Sequence, residues 1–275
     1  MSGRFKGLSQ RQIDARIKDG RGLGSGADYK PFITTKDVSS LGRSHRLLGS
    51  KSRRLHHLLS DLELAIFLLL DWSPQVLDIR EQFPLRVEDS VRIAEELGIN
   101  HARYQGVPQV LSSDFLVDFS IAERPAMAFQ AKYSIDLEKP GVIERLMLEA
   151  RYWHEKDIPW SLITEREIPR TVFTNIEWLY PAQVDTDVND SELLRYYDLF
   201  CREFNAHNER SIIAVAQWID VAYDMEAGHA LYWLKRLLAR RYFLFDIGVA
   251  YRELRSCDLV AIEYGLASGV ERASR

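Results

Sequence analysis

Asp114, Gln130 and Lys132 fall in two short segments, Asp114 to Phe119 and Met127 to Lys132, and their residue types would suit hydrolysis of a phosphodiester. A carboxylate and an amide oxygen are hard donors of the kind that hold a divalent cation. An ammonium beside them can orient an attacking water or steady developing negative charge. Strand periodicity decides whether they can meet. Phe115, Val117 and Phe119 point one way and Asp114, Leu116 and Asp118 the other, while Phe129, Ala131 and Tyr133 alternate with Gln130 and Lys132. Glu123, Arg124 and Pro125 break the pattern between them, so the two segments predict an antiparallel hairpin. Either simple register sets Asp114 opposite Gln130 or Lys132, and opposed residues on one face lie about 5 Å apart at Cβ.

Asp114 is the expected central ligand of such a site. The side-chain oxygen of Gln130 or the carbonyl of Ala131 would add to it, and Glu63 would complete the set from a neighbouring helix. Oxygen donors with retained waters suit Mg²⁺, with Mn²⁺ as a substitute. Glu63 has a second reading, which local sequence favours: it follows Ser60 by the spacing of a capping box, and its carboxylate would then bond the backbone at the helix start. Asp114 read alone could open a turn, and Lys132 read alone could be a charge guarding a sheet edge. Asp118, nearer the turn, reads as solvent-facing. Glu149 reads as a surface residue sooner than as an outer acid of the site.

The elements around the hairpin follow from periodicity and caps. Residues 9–19 form a short helical pattern ended by Gly20, and a glycine-rich link runs on to Gly26 without the strand or helix of a phosphate-binding loop. Ser60 opens a helix to about Trp72, Val76 to Leu85 reads as a buried strand, Gly141 to Lys156 as a helix, and Trp160 to Ile163 as a short strand. These predict an α/β domain over residues 1–168, a mixed sheet flanked by helices with the hairpin central. From residue 169 to 275 the chain becomes mainly helical. Helices over Ser191 to Phe204, Glu209 to Tyr223 and Ala227 to Arg240, then a ribbon of Tyr242 to Ile247 with Leu259 to Glu263, suggest a winged-helix-like domain. Lys235, Arg236, Arg240 and Arg241 would put positive charge on or after its last helix, to meet an acidic protein surface or DNA.

The net charge of −4 over 275 residues conceals an asymmetry. Residues 1–60 hold thirteen Lys/Arg against four Asp/Glu, so the remainder is acidic. Arg43, His45, Arg46, Lys51, Arg53, Arg54 and His56 lie in a stretch with no acid, and a phosphate backbone is the natural partner of such a run. A solvated basic arm is its plain alternative. Residues 170–275 carry 12 Lys/Arg against 16 Asp/Glu, which favours a protein partner over DNA there. Cys201 and Cys257 show neither metal-ligand spacing nor a disulfide framework. The longest apolar run, Leu64 to Leu70, is too short to cross a bilayer, and a cytoplasmic, nucleoid-associated protein is the expectation.

The Asp114 to Gln130-Ala-Lys132 arrangement resembles the PD-(D/E)xK nuclease signature, with Ser113 in place of its proline and Gln130 in place of its acid. Longer stretches are more specific: Gly42 to Arg46, His56 to Ala65, Leu77 to Leu85, Ser113 to Asp118, Arg151 to Trp153, Ile158 to Trp160 and Asn175 to Tyr180. Together they resemble the TnsA family, the endonuclease subunits of heteromeric cut-and-paste transposases. The resemblance implies a restriction-endonuclease-like domain that cuts the 5′-strand ends of a transposon in double-stranded DNA. It implies Glu63, Asp114, Gln130 and Lys132 as the catalytic set, and Gln130 as usual for the family. It also implies a DDE-type TnsB partner and an ATP-dependent TnsC regulator at the C-terminal domain. A stand-alone restriction or repair nuclease and a non-catalytic DNA-binding adaptor are the alternatives.

Overall fold

The computed structural model describes residues 7–37 and 43–262; Gly42 and Glu263, used above, lie outside them. The chain divides between Ile168 and Pro169 into two compact units. In the first, α1 (Gln10–Lys18) opens on a capping box in which the Ser9 N–H donates to Gln12 Oε1 at 2.9 Å. The basic stretch is an antiparallel hairpin, β1 (His45–Leu48) and β2 (Leu55–Leu58), with His45 opposite Leu58. Next come α2 (Asp61–Trp72), β3 (Val76–Pro84) and α3 (Val87–Glu96). A small ribbon of β4 (Arg103–Tyr104) and β5 (Val107–Pro108) precedes β6 (Ser112–Phe119) and β7 (Ala126–Ala131). The unit ends with α4 (Pro140–His154) and β8 (Trp160–Ile163). The stretch holding α3 and the β4–β5 ribbon had no sequence-based expectation.

The main sheet has the order β3-β6-β7-β8, antiparallel except for the parallel β7/β8 pair. A parallel neighbour needs a long crossover, and α4 supplies it. The β6–β7 hairpin therefore occupies the centre of a mixed sheet. Leu116 and Ala128 from the hairpin pack with Ile93 and Ala94 of α3 and with Leu148, Tyr152 and Trp153 of α4. Meanwhile α2 packs on β3 and β7. Both layers fix the strand ends from which the polar residues project.

The second unit comprises α5 (Arg170–Val184), α6 (Asp190–Ala206), α7 (Ile212–Ala222) and α8 (His229–Ala239), with a ribbon of β9 (Phe243–Leu244) and β10 (Val260–Ala261). Its core gathers Leu193, Phe200, Ile219, Leu234, Leu237 and Leu254, all fully buried. The ribbon is shorter than the periodicity of Tyr242 to Ile247 predicts. Asp246 ends β9 by accepting the Gly248 N–H at 2.8 Å, and the Val249 N–H returns to the Asp246 carbonyl at 3.0 Å, closing a turn.

Candidate active site

The hairpin register pairs Phe115 with Phe129 and Leu116 with Ala128, which sets Asp114 opposite Gln130. The Asp114 N–H donates to Gln130 Oε1 at 3.2 Å, and the Ala131 N–H donates to Asp114 Oδ2 at 2.8 Å. Asp114 is buried and its carboxylate is engaged across the sheet, unlike a turn-former, which bonds its own neighbouring backbone. Burial raises its pKa, while the charge of Lys132 and the Ala131 N–H oppose that rise. Lys132 is half-buried just beyond β7, where its N–H donates to the Ile163 carbonyl at 3.0 Å.

Glu63 takes the capping position and faces the site as well. Its N–H donates to Ser60 Oγ at 3.0 Å, its Oε2 accepts the Leu59 N–H at 2.8 Å, and its Oε1 accepts the Ser60 hydroxyl at 3.1 Å. From the other side Gln82 Nε2 donates to Glu63 Oε2 at 3.2 Å and to Asp114 Oδ1 at 3.3 Å. One amide nitrogen thus spans both carboxylates. Burial, then the charge of Asp114, pushes the Glu63 carboxyl up to about 8.

Two buried carboxylates that oppose each other's ionisation are the residues a cation would settle. Among the described residues no group of three or more His, Cys, Asp or Glu forms a metal cage. The donor set is therefore two carboxylates supplemented by amide and backbone oxygens. Such an all-oxygen, low-ligand set fits a Mg²⁺ or Mn²⁺ ion that keeps several waters, so the residues present are compatible with one. Gln130 Oε1 is turned towards the Asp114 N–H, and would serve two partners through its two lone pairs.

Glu149 is buried, against the surface position expected for it. Its Oε1 accepts the Ser113 hydroxyl at 2.5 Å and the Trp160 indole N–H at 2.9 Å, and burial pushes its carboxyl up to about 8. A cavity of about 130 Å³ lies between it and the hairpin, lined in part by Ser112, Gln130, Lys132 and Arg145. Trp160 gives this acid of α4 an inward partner: the indole N–H needs an acceptor. Asp118 is half-buried in place of solvent-facing, and accepts from Arg80 at 2.6 Å.

The basic hairpin divides into two groups. Arg54 and His56 are interior residues and leave the expected DNA-contact set. Arg54 reaches Glu81 at 2.8 Å and 2.5 Å and the Ile79 carbonyl at 2.7 Å; His56 Nδ1 lies 2.8 Å from Glu81 and its Nε2 2.7 Å from Ser52 Oγ. Burial alone would raise the Glu81 carboxyl, but the bonds from His56 and Arg54 prevail and hold it at about 2. Arg43 and His45 both bind Asp61, at 3.2 Å and 2.7 Å, which offsets part of their charge. Lys51 is half-buried, its N–H on Asp71 at 3.2 Å. Arg46 and Arg53 are exposed, Arg53 with a left-handed φ of 55° at the hairpin turn.

In the second unit the expected basic partner surface is largely spent internally. Arg236 is buried, ion-paired with Asp185 and stacked on the Tyr232 ring, so it is withdrawn from that surface. Arg240 donates to the Asp185 carbonyl at 3.2 Å and lies 3.7 Å from Asp190. Lys235 sits over the Trp178 ring, and burial lowers the pKa of Arg241. The cluster fastens α8 to the α5–α6 connection.

Comparison with known proteins bears on what this arrangement is for. The chain is 44% identical over 252 residues, 92% of both chains, to the Transposon Tn7 transposition protein TnsA of Escherichia coli. It belongs to the TnsA family. The family description "TnsA-like endonuclease N terminal" matches residues 73–165 and "TnsA endonuclease C terminal" matches residues 167–247. The first TnsA match contains Gln82, Asp114, Gln130, Lys132 and Glu149, while Glu63 and the basic hairpin precede it. A transposase endonuclease subunit is thereby supported, on a mixed α/β fold. Gln82, Ser112 and the Glu81 network had no place in the sequence reading. The signal available for them was a run of three polar residues, Arg80, Glu81 and Gln82, inside a strand that otherwise reads as buried.

Proposed function

We propose that this chain is a Mg²⁺-dependent DNA endonuclease subunit that hydrolyses phosphodiesters at the 5′-strand ends of a transposon during cut-and-paste transposition. Its partners in this reading are a TnsB-type DDE transposase, which handles the 3′ ends, and a TnsC-type ATP-dependent regulator. The observation that carries the chemistry is the convergence of Glu63 and Asp114, buried and bridged by one amide nitrogen, beside Lys132. Asp114 and Glu63, with the Gln130 side-chain oxygen and the Ala131 carbonyl, would hold the cation. Bound there, it would neutralise charge at phosphorus and lower the cost of the departing oxygen. Lys132 orients or deprotonates the attacking water and counters charge on the phosphate. Arg46 and Arg53 supply phosphate contacts on the approach, and the second unit, winged-helix-like in this reading, serves partner contacts.

The reading is tested with purified protein, its TnsB-type partner and DNA bearing transposon ends. Cleavage of the 5′ strand should need Mg²⁺ or Mn²⁺ and should vanish in Asp114→Ala and Lys132→Ala. Cleavage that survives both substitutions would refute the site.

A further inference from the structure

Gln82 stands between the two carboxylates and has no role in the chemistry above. It lies on β3 between Glu81, which pairs with Phe115, and Phe83, which pairs with Ser113, and so sits across from Asp114. Its side chain is buried, with 2% of the residue exposed. Nε2 gives its hydrogens to Glu63 Oε2 and Asp114 Oδ1, while Oε1 accepts the Ser112 hydroxyl at 3.1 Å. The two carboxylates set the amide's orientation, since a flipped amide would aim its oxygen at both, and the Ser112 hydroxyl supplies the donor that the amide oxygen then needs. The backbone at Gln82 is left-handed, φ 49°, a conformation that a non-glycine residue adopts at a cost. It is held there partly from outside: the Phe32 N–H donates to the Gln82 carbonyl at 3.3 Å.

We infer that Gln82 is a positioning residue for the metal site: its amide, braced by Ser112, holds Glu63 and Asp114 convergent and so sets their affinity for a divalent cation. The inference rests on the reading of Glu63 and Asp114 as cation ligands. Left to themselves, two carboxylates at this separation repel and turn away. The amide nitrogen offers each a donor; Asp114 Oδ1 keeps a second lone pair for a cation, and Glu63, whose Oε2 also accepts the Leu59 N–H, keeps one on Oε1. Outer partners of metal ligands act in this way by fixing ligand direction, and losing one lowers metal affinity about 10–100-fold. A residue that only satisfied buried polar groups would instead lower the stability of the metal-free and metal-bound protein alike, with affinity unchanged.

The test is Mn²⁺ binding to the full chain, measured by calorimetry and by electron paramagnetic resonance, for wild type, Gln82→Met and Ser112→Ala. Methionine keeps the length and removes the donor; alanine at 112 leaves Gln82 in place and takes away the donor that braces its amide oxygen. Gln82→Met should bind Mn²⁺ about 10–100-fold more weakly, and Ser112→Ala should weaken it in the same direction by a smaller factor. Affinities of both variants within about threefold of wild type would overturn the inference while leaving the nuclease reading standing. Should Gln82→Met fail to fold by circular dichroism, Ser112→Ala decides alone, and wild-type affinity there overturns the proposal. A wild-type chain that binds no Mn²⁺ would sink the nuclease reading itself.

Discussion

Replacing Glu63 by glutamine separates its cap from its charge. Glu63 Oε2 accepts from the Leu59 N–H and Gln82, and Oε1 from the Ser60 hydroxyl. A glutamine carbonyl can stand where Oε2 is, and its amide nitrogen, standing where Oε1 is, can donate to Ser60 Oγ, so the cap survives. What is lost is an ionisable group whose charged form is opposed by burial and by Asp114. The folded pKa of about 8 lies above the ordinary 4.5, so this carboxyl's contribution to stability is complete below pH 4.5 and is lost as pH rises through 8. At about 1.4 kcal/mol per pH unit, the metal-free protein has given up roughly 3 kcal/mol by pH 7. Glu63→Gln should recover up to that amount, which corresponds to about 6–12 °C in the melting midpoint of a unit of this size.

Calorimetric or circular-dichroism melts from pH 4 to pH 8 in a chelating buffer would read this directly. The two proteins should melt together near pH 4 and diverge steadily above it. Added Mn²⁺ should then raise the wild type and leave Glu63→Gln nearly unmoved, with cleavage lost in the variant. A Glu63→Gln protein that melts below wild type at pH 7 without metal, or a difference independent of pH, would refute the placement of this carboxylate against Asp114.

Glu81→Ala strands a buried Arg54, and chemical denaturation should report a loss of about 3–5 kcal/mol. Because the Glu81 folded pKa of about 2 lies below its ordinary 4.5, that contribution is present above pH 4.5 and fades as pH falls through 2. Arg46→Ala and Arg53→Ala should each reduce the salt slope of DNA binding, by up to about 1, with thermal stability unchanged; an unaltered slope would remove the hairpin from the DNA interface. Glu149→Gln keeps an acceptor for Ser113 and Trp160 and, since the Glu149 carboxyl is also raised to about 8, should be more stable than wild type at pH 7 by up to about 3 kcal/mol, whereas Glu149→Ala leaves both donors unpaired and should give back about 1–3 kcal/mol of that. Gln130→Glu should tighten Mn²⁺ binding to the DNA-free protein and lower its metal-free melting temperature; looser binding would contradict the charge argument below.

The parts of the fold that repeat with a period were readable, and the parts that depend on distant partners were not. Alternation along β6 and β7, with a polar break between them, placed Asp114 opposite Gln130 in one of two simple registers, and β7/β6 hydrogen bonding realises that one. Ser60 and Glu63 announced the start of α2, and a cap and a second carboxylate turned out to be compatible because a carboxylate has lone pairs for both. Arg54 and His56 read as part of a basic run, since their acid, Glu81, lies on another strand. Glu149 was misplaced for a similar reason: the indole that needs it, Trp160, sits eleven residues on. Gln82 is not legible for the same reason, since its partners Glu63, Asp114 and Ser112 all lie on other elements.

The neutral residue at position 130 bears on why such a site can fold at all. With Glu63 and Asp114 ionised and Lys132 cationic, three charged side chains leave one negative charge in excess; an acid at 130 would leave two. A unit charge about 4 Å from a cation is worth a few kcal/mol at the effective dielectric of a protein interior, so glutamine gives up real attraction for metal. The same charge in the metal-free protein would be buried against two carboxylates already pushed towards protonation, and would raise them further. Glutamine therefore keeps the empty site tolerable at the expense of holding metal loosely. On the proposed reading, the deficit is made good by the substrate, whose phosphate brings negative charge to the cation only when DNA is in place. Metal affinity, and with it hydrolysis, then rises when a transposon end is engaged.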